Sequence, residues 1–206
     1  MNATPKERLL AKVVDVALAG GIADKSLRAI ADAAGTSHRM IIHHFGSREG
    51  LLVAVIKAVE ARQRSLLIDM LSASDAVAAG SAEPDAAEMR FWEQLRSAEL
   101  ASQDRLFFEV YGQALQGRAW ARPLLDGIVD DWAGPIARVL ERAGVAPDAA
   151  RAVARLQVAA GRGLLLDVLA TGDVDGVDAA ARCFAEMTLA YAAAHRGSSG
   201  RLSAGR

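Results

Sequence analysis

Residues 33–50 of the chain read AAGTSHRMIIHHFGSREG and hold three of its four histidines and two of its arginines. One short helical segment precedes Gly35, and a second begins at Ser37. Gly35 permits the positive φ that a sharp turn between helices needs. Ala31 is small enough to let the second segment approach the first, and Ile41 can pack back against it. This pattern predicts a helix-turn-helix, whose second helix lies in the DNA major groove.

Five residues are expected to surround the exposed, N-terminal side of the second helix. These are Ser37, His38, Arg39, Met40 and His43. The fork of Arg39 suits bidentate contact with guanine, and His38 and His43 can donate to phosphates or base edges. We expect His44 to be structural, beside Phe45.

The histidines do not have the spacing of a metal site. His43 and His44 are adjacent, about 100° apart on a helix, and His38 is not at the i, i+4 spacing of a helical zinc pair. Cys183 is the only cysteine, which excludes a cysteine-based zinc cluster, and we expect it to be buried. The sequence has no GxSxG, no P-loop and no nucleophile beside a base, so neither an enzyme, a metal nor a cofactor is predicted.

Composition favours an all-helical protein. Of 206 residues 52% are hydrophobic, only five are proline, and alanine, leucine and arginine are abundant. Residues 1–64 contain ten Lys/Arg and six Asp/Glu, whereas residues 65–206 contain fourteen and nineteen. The positive balance of the first part suggests an anionic partner. No apolar run reaches the ~18 residues of a membrane span, and MNATPKERLL lacks an apolar signal region, so a cytoplasmic location is predicted.

Apolar periodicity and capping residues predict all-α architecture in two domains. A helix-turn-helix domain spans 1–50, a helical effector-binding and dimerisation domain spans 51–195 with a linking helix at 51–72, and 196–206 form a disordered tail. A loop is predicted over 73–88, and Gly134-Pro135 should kink or break its helix. Helical patterns lie near 6–19, 26–34, 37–45, 48–71, 87–101, 104–117, 122–143, 148–171 and 175–195.

The N-terminal stretch resembles the DNA-binding domain of the TetR family of bacterial transcriptional regulators. That family typically shows Thr/Ser-x-x-x-Ile-Ala-x-x-Ala-Gly-Val-Ser, then Leu-Tyr-x-x-Phe and Ser-Lys-x-x-Leu. The matching positions are Ser26, Ile30, Ala31, Ala34 to Ser37, Ile41 to Phe45, and Ser47 to Leu51. The resemblance covers residues 7–56, while 57–206 match only in length and helical organisation.

The resemblance also implies contacts to DNA phosphates. The tyrosine that family members often use is Ile42 here, which cannot donate a hydrogen bond, and His43 is the neighbouring substitute. The family's lysine is Arg48, which keeps the charge. Further phosphate contacts are implied at the start of the helical segment that precedes Gly35, by Ser26 with Lys25 or Arg28. For those two cations a solvated surface is an equal alternative.

The same resemblance implies an effector domain whose last two helices form a homodimer. The stripes that permit this are Val153, Leu156, Ala160, Leu164 and Val168, then Ala180, Phe184, Met187 and Tyr191. Packing within one chain would use these stripes equally well. Residues that could line a pocket for a small hydrophobic or aromatic effector are Trp92, Phe107, Tyr111, Trp132, Gln157 and Arg162, with plain core packing as the alternative.

The predicted function is therefore that of a TetR-like repressor of transcription. It would bind a near-palindromic operator in double-stranded DNA as a homodimer, with half-sites ~34–36 Å apart, and be released by its effector. The alternative is a helical protein-interaction or small-molecule-binding module without DNA binding. Affinity for DNA that falls steeply with salt would separate the two.

Overall fold

The computed structural model describes residues 3–22, 24–78, 84–97 and 100–196, with backbone alone at Gly20, 70–78 and 84–89. These residues form nine α-helices and one 3-10 helix, which confirms the all-α prediction. The α-helices are α1 (Pro5–Gly20), α2 (Leu27–Ala33), α3 (His38–Phe45), α4 (Arg48–Ala78), α5 (Pro84–Leu95), α6 (Ala101–Leu115), α7 (Asp130–Arg142), α8 (Pro147–Thr171) and α9 (Val174–Ala194). The 3-10 helix is Arg122–Leu125. None of the described helices has the length and apolarity that crossing a membrane requires.

Side-chain caps fix where the N-terminal helices begin. At α1 the Glu7 backbone N–H donates to Thr4 Oγ1 at 3.2 Å, and the Thr4 N–H donates to the Glu7 carboxylate at 2.7 Å. Ser26 and Ser37 accept hydrogen bonds in the same way at the starts of α2 and α3. Because α2 and α3 have only seven and eight residues, such caps satisfy a large share of their unpaired N–H groups.

The chain folds into two compact units, of which the first is Met1–Ser65 with Leu95–Ile128. Its core joins α1 to α4 with α6 and the 3-10 helix. The most completely buried large side chains there are Val13, Ile22, Ile30, Ile41, Leu51, Val55, Val110 and Leu124.

A buried amide connects α6 to the end of α1 in this unit. Gln103 Nε2 donates to the Ala17 carbonyl at 2.6 Å, and the Gly21 N–H donates to the same oxygen at 2.9 Å. Gln103 therefore completes the C-terminal cap of α1. Nothing in the sequence pattern marks Gln103 for this role, because its partner lies 86 residues away.

The second unit is Leu66–Gln94 with Val129–Arg206, in which α7 packs on α8 and α8 on α9. Trp92 is buried in a cluster with Val177 and Ala181. Its indole Nε1 donates to Asp178 Oδ1 at 2.9 Å, so the polar end of the ring is satisfied.

Two predictions about helix ends are wrong. The loop expected over 73–88 is shorter, because α4 continues to Ala78 and α5 already begins at Pro84. The small residues of this stretch suggested a loop. Many of them are alanine, however, which has the highest helix propensity. Helix α7 also runs unbroken through Pro135, which lies in its second turn and removes a single N–H donor. The predicted tail at 196–206 falls outside the described residues except for Arg196, which forms an isolated bridge with Val145.

Cys183 is exposed, so the expectation that it is buried is wrong. The buried face of α9 includes Ala181, Ala185 and Thr188. Cys183 lies two residues beyond Ala181, about 200° around the helix, and faces away from that packing. A thiol is small enough to be tolerated on either face, so the residue type alone could not decide its exposure.

The first turn of α6 carries a buried acid, Asp104. Burial raises the pKa of Asp104 from 3.8 to about 7, with the neighbouring Arg105 acting weakly in the opposite direction. Because the folded chain holds this proton more tightly than the unfolded chain, ionised Asp104 destabilises the fold. That cost is absent below pH 4, grows as the pH rises to 7 and is complete above it.

We predict that Asp104→Asn stabilises the protein at pH 8, by up to about 4 kcal/mol, and leaves stability at pH 4 nearly unchanged. Urea unfolding of wild type and variant at both pH values measures this difference. Glu109→Gln, an exposed acid on the same helix, is the matched control and should show no such pH-dependent gain. An equal effect of Asp104→Asn at both pH values would show that Asp104 does not titrate in this range.

Candidate nucleic-acid interface

The position of α3 is set by one buried side chain and one turn. Ile41 is 0% exposed and packs in the core of the first unit with Ile30 and Ala31 of α2. Gly35 has φ +62°, and the Thr36 N–H donates to the Ala31 carbonyl at 3.0 Å. These are the features that the sequence predicts for a helix-turn-helix, and the structure brings them together as expected.

The exposed surface of α3 consists of His38, Arg39, Met40, Ile42 and His43. We call this surface the reading face. Arg39 and His43 are one turn apart on it and therefore project from the same side of the helix. The Ser37 hydroxyl oxygen accepts from the Met40 N–H at 3.2 Å, so Ser37 caps α3 rather than extending away from it. The reading face thus presents the guanidinium of Arg39 and the imidazoles of two histidines, together with the exposed apolar side chains of Met40 and Ile42.

His44 differs from the two histidines of the reading face. It is half-buried, with its ring edge-on to His43 at 4.9 Å and to Phe45 at 6.3 Å. Its Nε2 is buried and has no hydrogen-bond partner. The described residues hold no group of three or more His, Cys, Asp or Glu placed to bind a metal. His44 therefore packs as the sequence analysis expects.

Arg48, at the start of α4, is connected to the start of α2. Its Nε donates to the Lys25 carbonyl at 3.3 Å, and the side chain is half-buried. Ser26, the next residue, caps α2 by accepting from the Ala29 N–H at 3.2 Å. Arg28, two residues after Ser26, is exposed. Arg48 is consequently bonded to the residue that precedes Ser26, although Ser26 and Arg48 are 22 positions apart in sequence.

The six predicted effector-binding residues lie in different units. Phe107 and Tyr111 contact each other in the first unit, with ring centroids 5.4 Å apart, and pack against its core. Trp92 in the second unit is buried against α9. Trp132 on α7 and the pair Gln157 and Arg162 on α8 are half-buried.

A cleft of about 250 Å³ lies beside α3, between that helix and α1. Arg8 and Lys12 of α1 line it together with Met40 and His44 of α3. The sequence analysis did not single out Arg8 or Lys12. Their i, i+4 spacing, which places two cations on one face of α1, was the available signal.

Residues 9–55 match the family model described as bacterial regulatory proteins of the tetR family. A transcriptional regulator from Rhodococcus sp. Rha1 is similar in structure, with 22% identity, a TM-score of 0.64, and 91% of this chain and 97% of that chain covered. A TetR transcriptional regulator from Legionella pneumophila has 21% identity and a TM-score of 0.62, with 91% and 99% covered. The multidrug binding protein EbrR, complexed with proflavin, has 24% identity and a TM-score of 0.56, with 90% and 98% covered. No curated protein matches the chain. At these identities the solved structures establish the fold, while the family match covers the helix-turn-helix itself.

We predict that Arg39→Ala lowers affinity for the preferred duplex by about 1–3 kcal/mol and removes the preference at one base position. Arg48→Ala should instead weaken binding to all duplexes alike, because a phosphate contact carries no base information. Selection from random duplexes, followed by affinity measurement, distinguishes the two effects. Uniform weakening by Arg39→Ala would contradict its assignment as a base-reading residue.

Proposed function

We propose that this chain, which belongs to the TetR family of bacterial regulatory proteins, is a repressor that binds a near-palindromic operator as a homodimer. The coarser assignment, a DNA-binding transcriptional regulator rather than an enzyme, follows from the family. Binding of a small hydrophobic or aromatic effector releases the repressor from DNA. A protein with this function acts in the cytoplasm.

The reading face carries this proposal. Ile41 and the Ser37 cap hold α3 rigidly, and Arg39 and His43 extend outward from it. A rigid helix that presents an arginine fork and imidazole donors can read base edges in a major groove. Ser26, Arg28 and Arg48 then hold the backbone by contacts to phosphates, which set the register of the helix in the groove.

Homodimer formation is supported by an exposed apolar surface on α8 and α9. Met187 and Tyr191 on α9 are 65% and 45% exposed, and Leu156 and Leu166 on α8 are 52% exposed each. Gly163 adds open space on α8, since nothing lies within 4 Å of where its Cβ would be. Helices with such faces pack as four-helix bundles when two copies meet.

The two apolar stripes predicted on α8 and α9 differ in which of their side chains are exposed. Leu164 and Val168 of the α8 stripe pack inside the chain, whereas Leu156 faces outward. In α9, Met187 and Tyr191 both face outward. Exposed apolar side chains of this size favour association because each one removed from water stabilises the dimer.

A dimer-breaking variant provides a direct prediction. Leu156→Glu with Met187→Glu should give a monomer by light scattering and lose most of the affinity for a two-half-site duplex. Leu115→Glu is the control, because Leu115 is equally apolar and 67% exposed but lies on α6 in the first unit. A dimer that survives the double substitution would place the interface elsewhere.

The effector proposal rests on aromatic side chains of the second unit. Trp92 and Trp132 belong to that unit, and half-buried Gln157 and Arg162 supply polar groups. The similar protein EbrR is complexed with proflavin, a planar aromatic compound, which makes proflavin a suitable probe.

Proflavin should quench the tryptophan fluorescence of the protein in the absence of DNA, and Trp132→Phe should reduce this quenching while Trp120→Phe of the first unit should not. Effector release follows if the effector prefers a conformer with a different separation of the two reading faces, and that difference in affinity sets the loss of DNA binding.

The experiment that tests the function begins with selection of duplexes by the full-length protein. The selected duplex should bind tightly, lose affinity steeply as salt rises, and lower transcription in vitro when placed over a promoter. A protein that raises transcription from this promoter would be an activator. Absence of salt-dependent binding to any duplex would favour the helical module without DNA binding.

A further inference from the structure

We propose that the cleft between α1 and α3 receives a DNA backbone phosphate, and that Arg8 and Lys12 contact it. This inference rests on the proposed function and adds α1 to the surface that holds DNA. The bound group is a phosphodiester of the operator, on the side of the reading face away from Arg48.

The cleft borders the reading face directly. Met40, which belongs to the reading face, lines it, and so does His44, which follows His43 of the reading face by one position. One position on a helix corresponds to about 100°, so the side of α3 that lines the cleft is next to the side that faces the bases. A strand that bounds the groove on this side passes over the cleft.

The charges of the cleft suit an anion. Arg8 and Lys12 are both exposed and project from the same face of α1. The Arg8 guanidinium donates from Nη1 to the Ala3 carbonyl, which holds it at the start of the helix. Lys12 makes no ion pair with any carboxylate in the described part of the chain. Two cations four residues apart therefore flank one opening.

Glu7, the acid next to Arg8 in the sequence, is directed elsewhere. Glu7 does not line the cleft, and its carboxylate accepts the Thr4 backbone N–H at 2.7 Å. Hydrogen bonds from Thr4 lower the pKa of Glu7, so the carboxylate remains ionised at the helix start, where it stabilises α1. The capping box thus fixes the first turn from which Arg8 extends.

The location relative to Arg48 matches the shape of a major groove. Arg48 is bonded to Lys25, two residues before α2, whereas the cleft includes Gly35 and Thr36 just after α2. Helix α2, which has seven residues and is about 10 Å long, therefore lies in the chain between the residue that Arg48 contacts and the two residues that border the cleft. The major groove is about 12 Å wide, so a helix within it has one phosphate backbone on each side.

The size of the cleft argues against a small-molecule pocket. Its volume of about 250 Å³ is below the ~300–1,000 Å³ of drug-sized ligand sites. A phosphodiester needs only an opening flanked by donors, because the rest of the DNA remains outside. The backbone of DNA is therefore the occupant that both charge and size favour.

Salt dependence of DNA binding tests this inference. Arg8→Gln with Lys12→Gln should weaken binding to every duplex and reduce the slope of log affinity against log salt by about 1, since one neutralised phosphate contributes ~0.9. Base preferences in the duplex selection should not change. Lys12→Gln alone should reduce the slope by less than the double substitution does, because Arg8 still contacts the same phosphate, and it preserves the Arg8 contact to Ala3.

Arg118→Gln with Arg122→Gln is the matched control. These two arginines are also exposed, four residues apart and in the first unit, so the change in net charge is identical. The control should retain the wild-type slope. Circular dichroism melting of each variant verifies that its fold is intact.

Three results would overturn the proposal. A wild-type slope in both cleft variants, with wild-type binding still salt-dependent, would refute the phosphate contact and leave the proposed function standing. A changed base preference would show that Arg8 and Lys12 read bases. Saturable NMR shifts of cleft residues with inorganic phosphate at constant ionic strength, without any change in the DNA slope, would indicate a site for free phosphate. If the wild type binds no duplex in a salt-dependent way, the proposed function itself fails.

Discussion

Burial of Ile41 against α2 is the contact on which the DNA-binding half of the structure depends. An eight-residue helix is too short to be stable by itself in water, so α3 exists because tertiary packing holds it. With Ile41 fully buried, every other residue of α3 takes a fixed direction. Arg39 and His43 face outward as a consequence, His44 borders the cleft beside α1, and the exposed Met40 belongs to both the reading face and the cleft lining.

Positive charge is distributed around this helix rather than concentrated on it. Arg48 lies near the start of α2, and Arg8 and Lys12 lie near its end. In the proposed function, cations at two sides neutralise phosphates and orient the helix, while base discrimination is assigned to the few side chains of the reading face. Residues 1–64 have a net excess of only four positive charges, but this placement puts three of their cations close to α2 and α3.

Buried polar groups outside the reading face have a different consequence. Gln103 completes the cap of α1, and Asp104 beside it is destabilised as an anion because burial raises its pKa to about 7. Both residues lie in the first turn of α6, where this helix meets the end of α1. Stability of the first unit is therefore sensitive to pH near neutrality at the same place where α6 supports the helix-turn-helix.

The sequence by itself determined the all-α class, the helix-turn-helix and most helix starts, because serine caps, Gly35 and the apolar period act locally. It also placed Arg39 outward and Ile41 inward, since one short amphipathic helix has a single apolar side. In the weakly amphipathic helices, only the tertiary structure decided which faces are buried. Cys183 is exposed and Leu164 is packed although both lie in apolar helical stretches, and the cleft of Arg8 and Lys12 exists only where α1 meets α3. Such contacts join residues far apart in the chain. A periodic sequence pattern predicts that one face of a helix is apolar, but it does not predict which other element packs against that face.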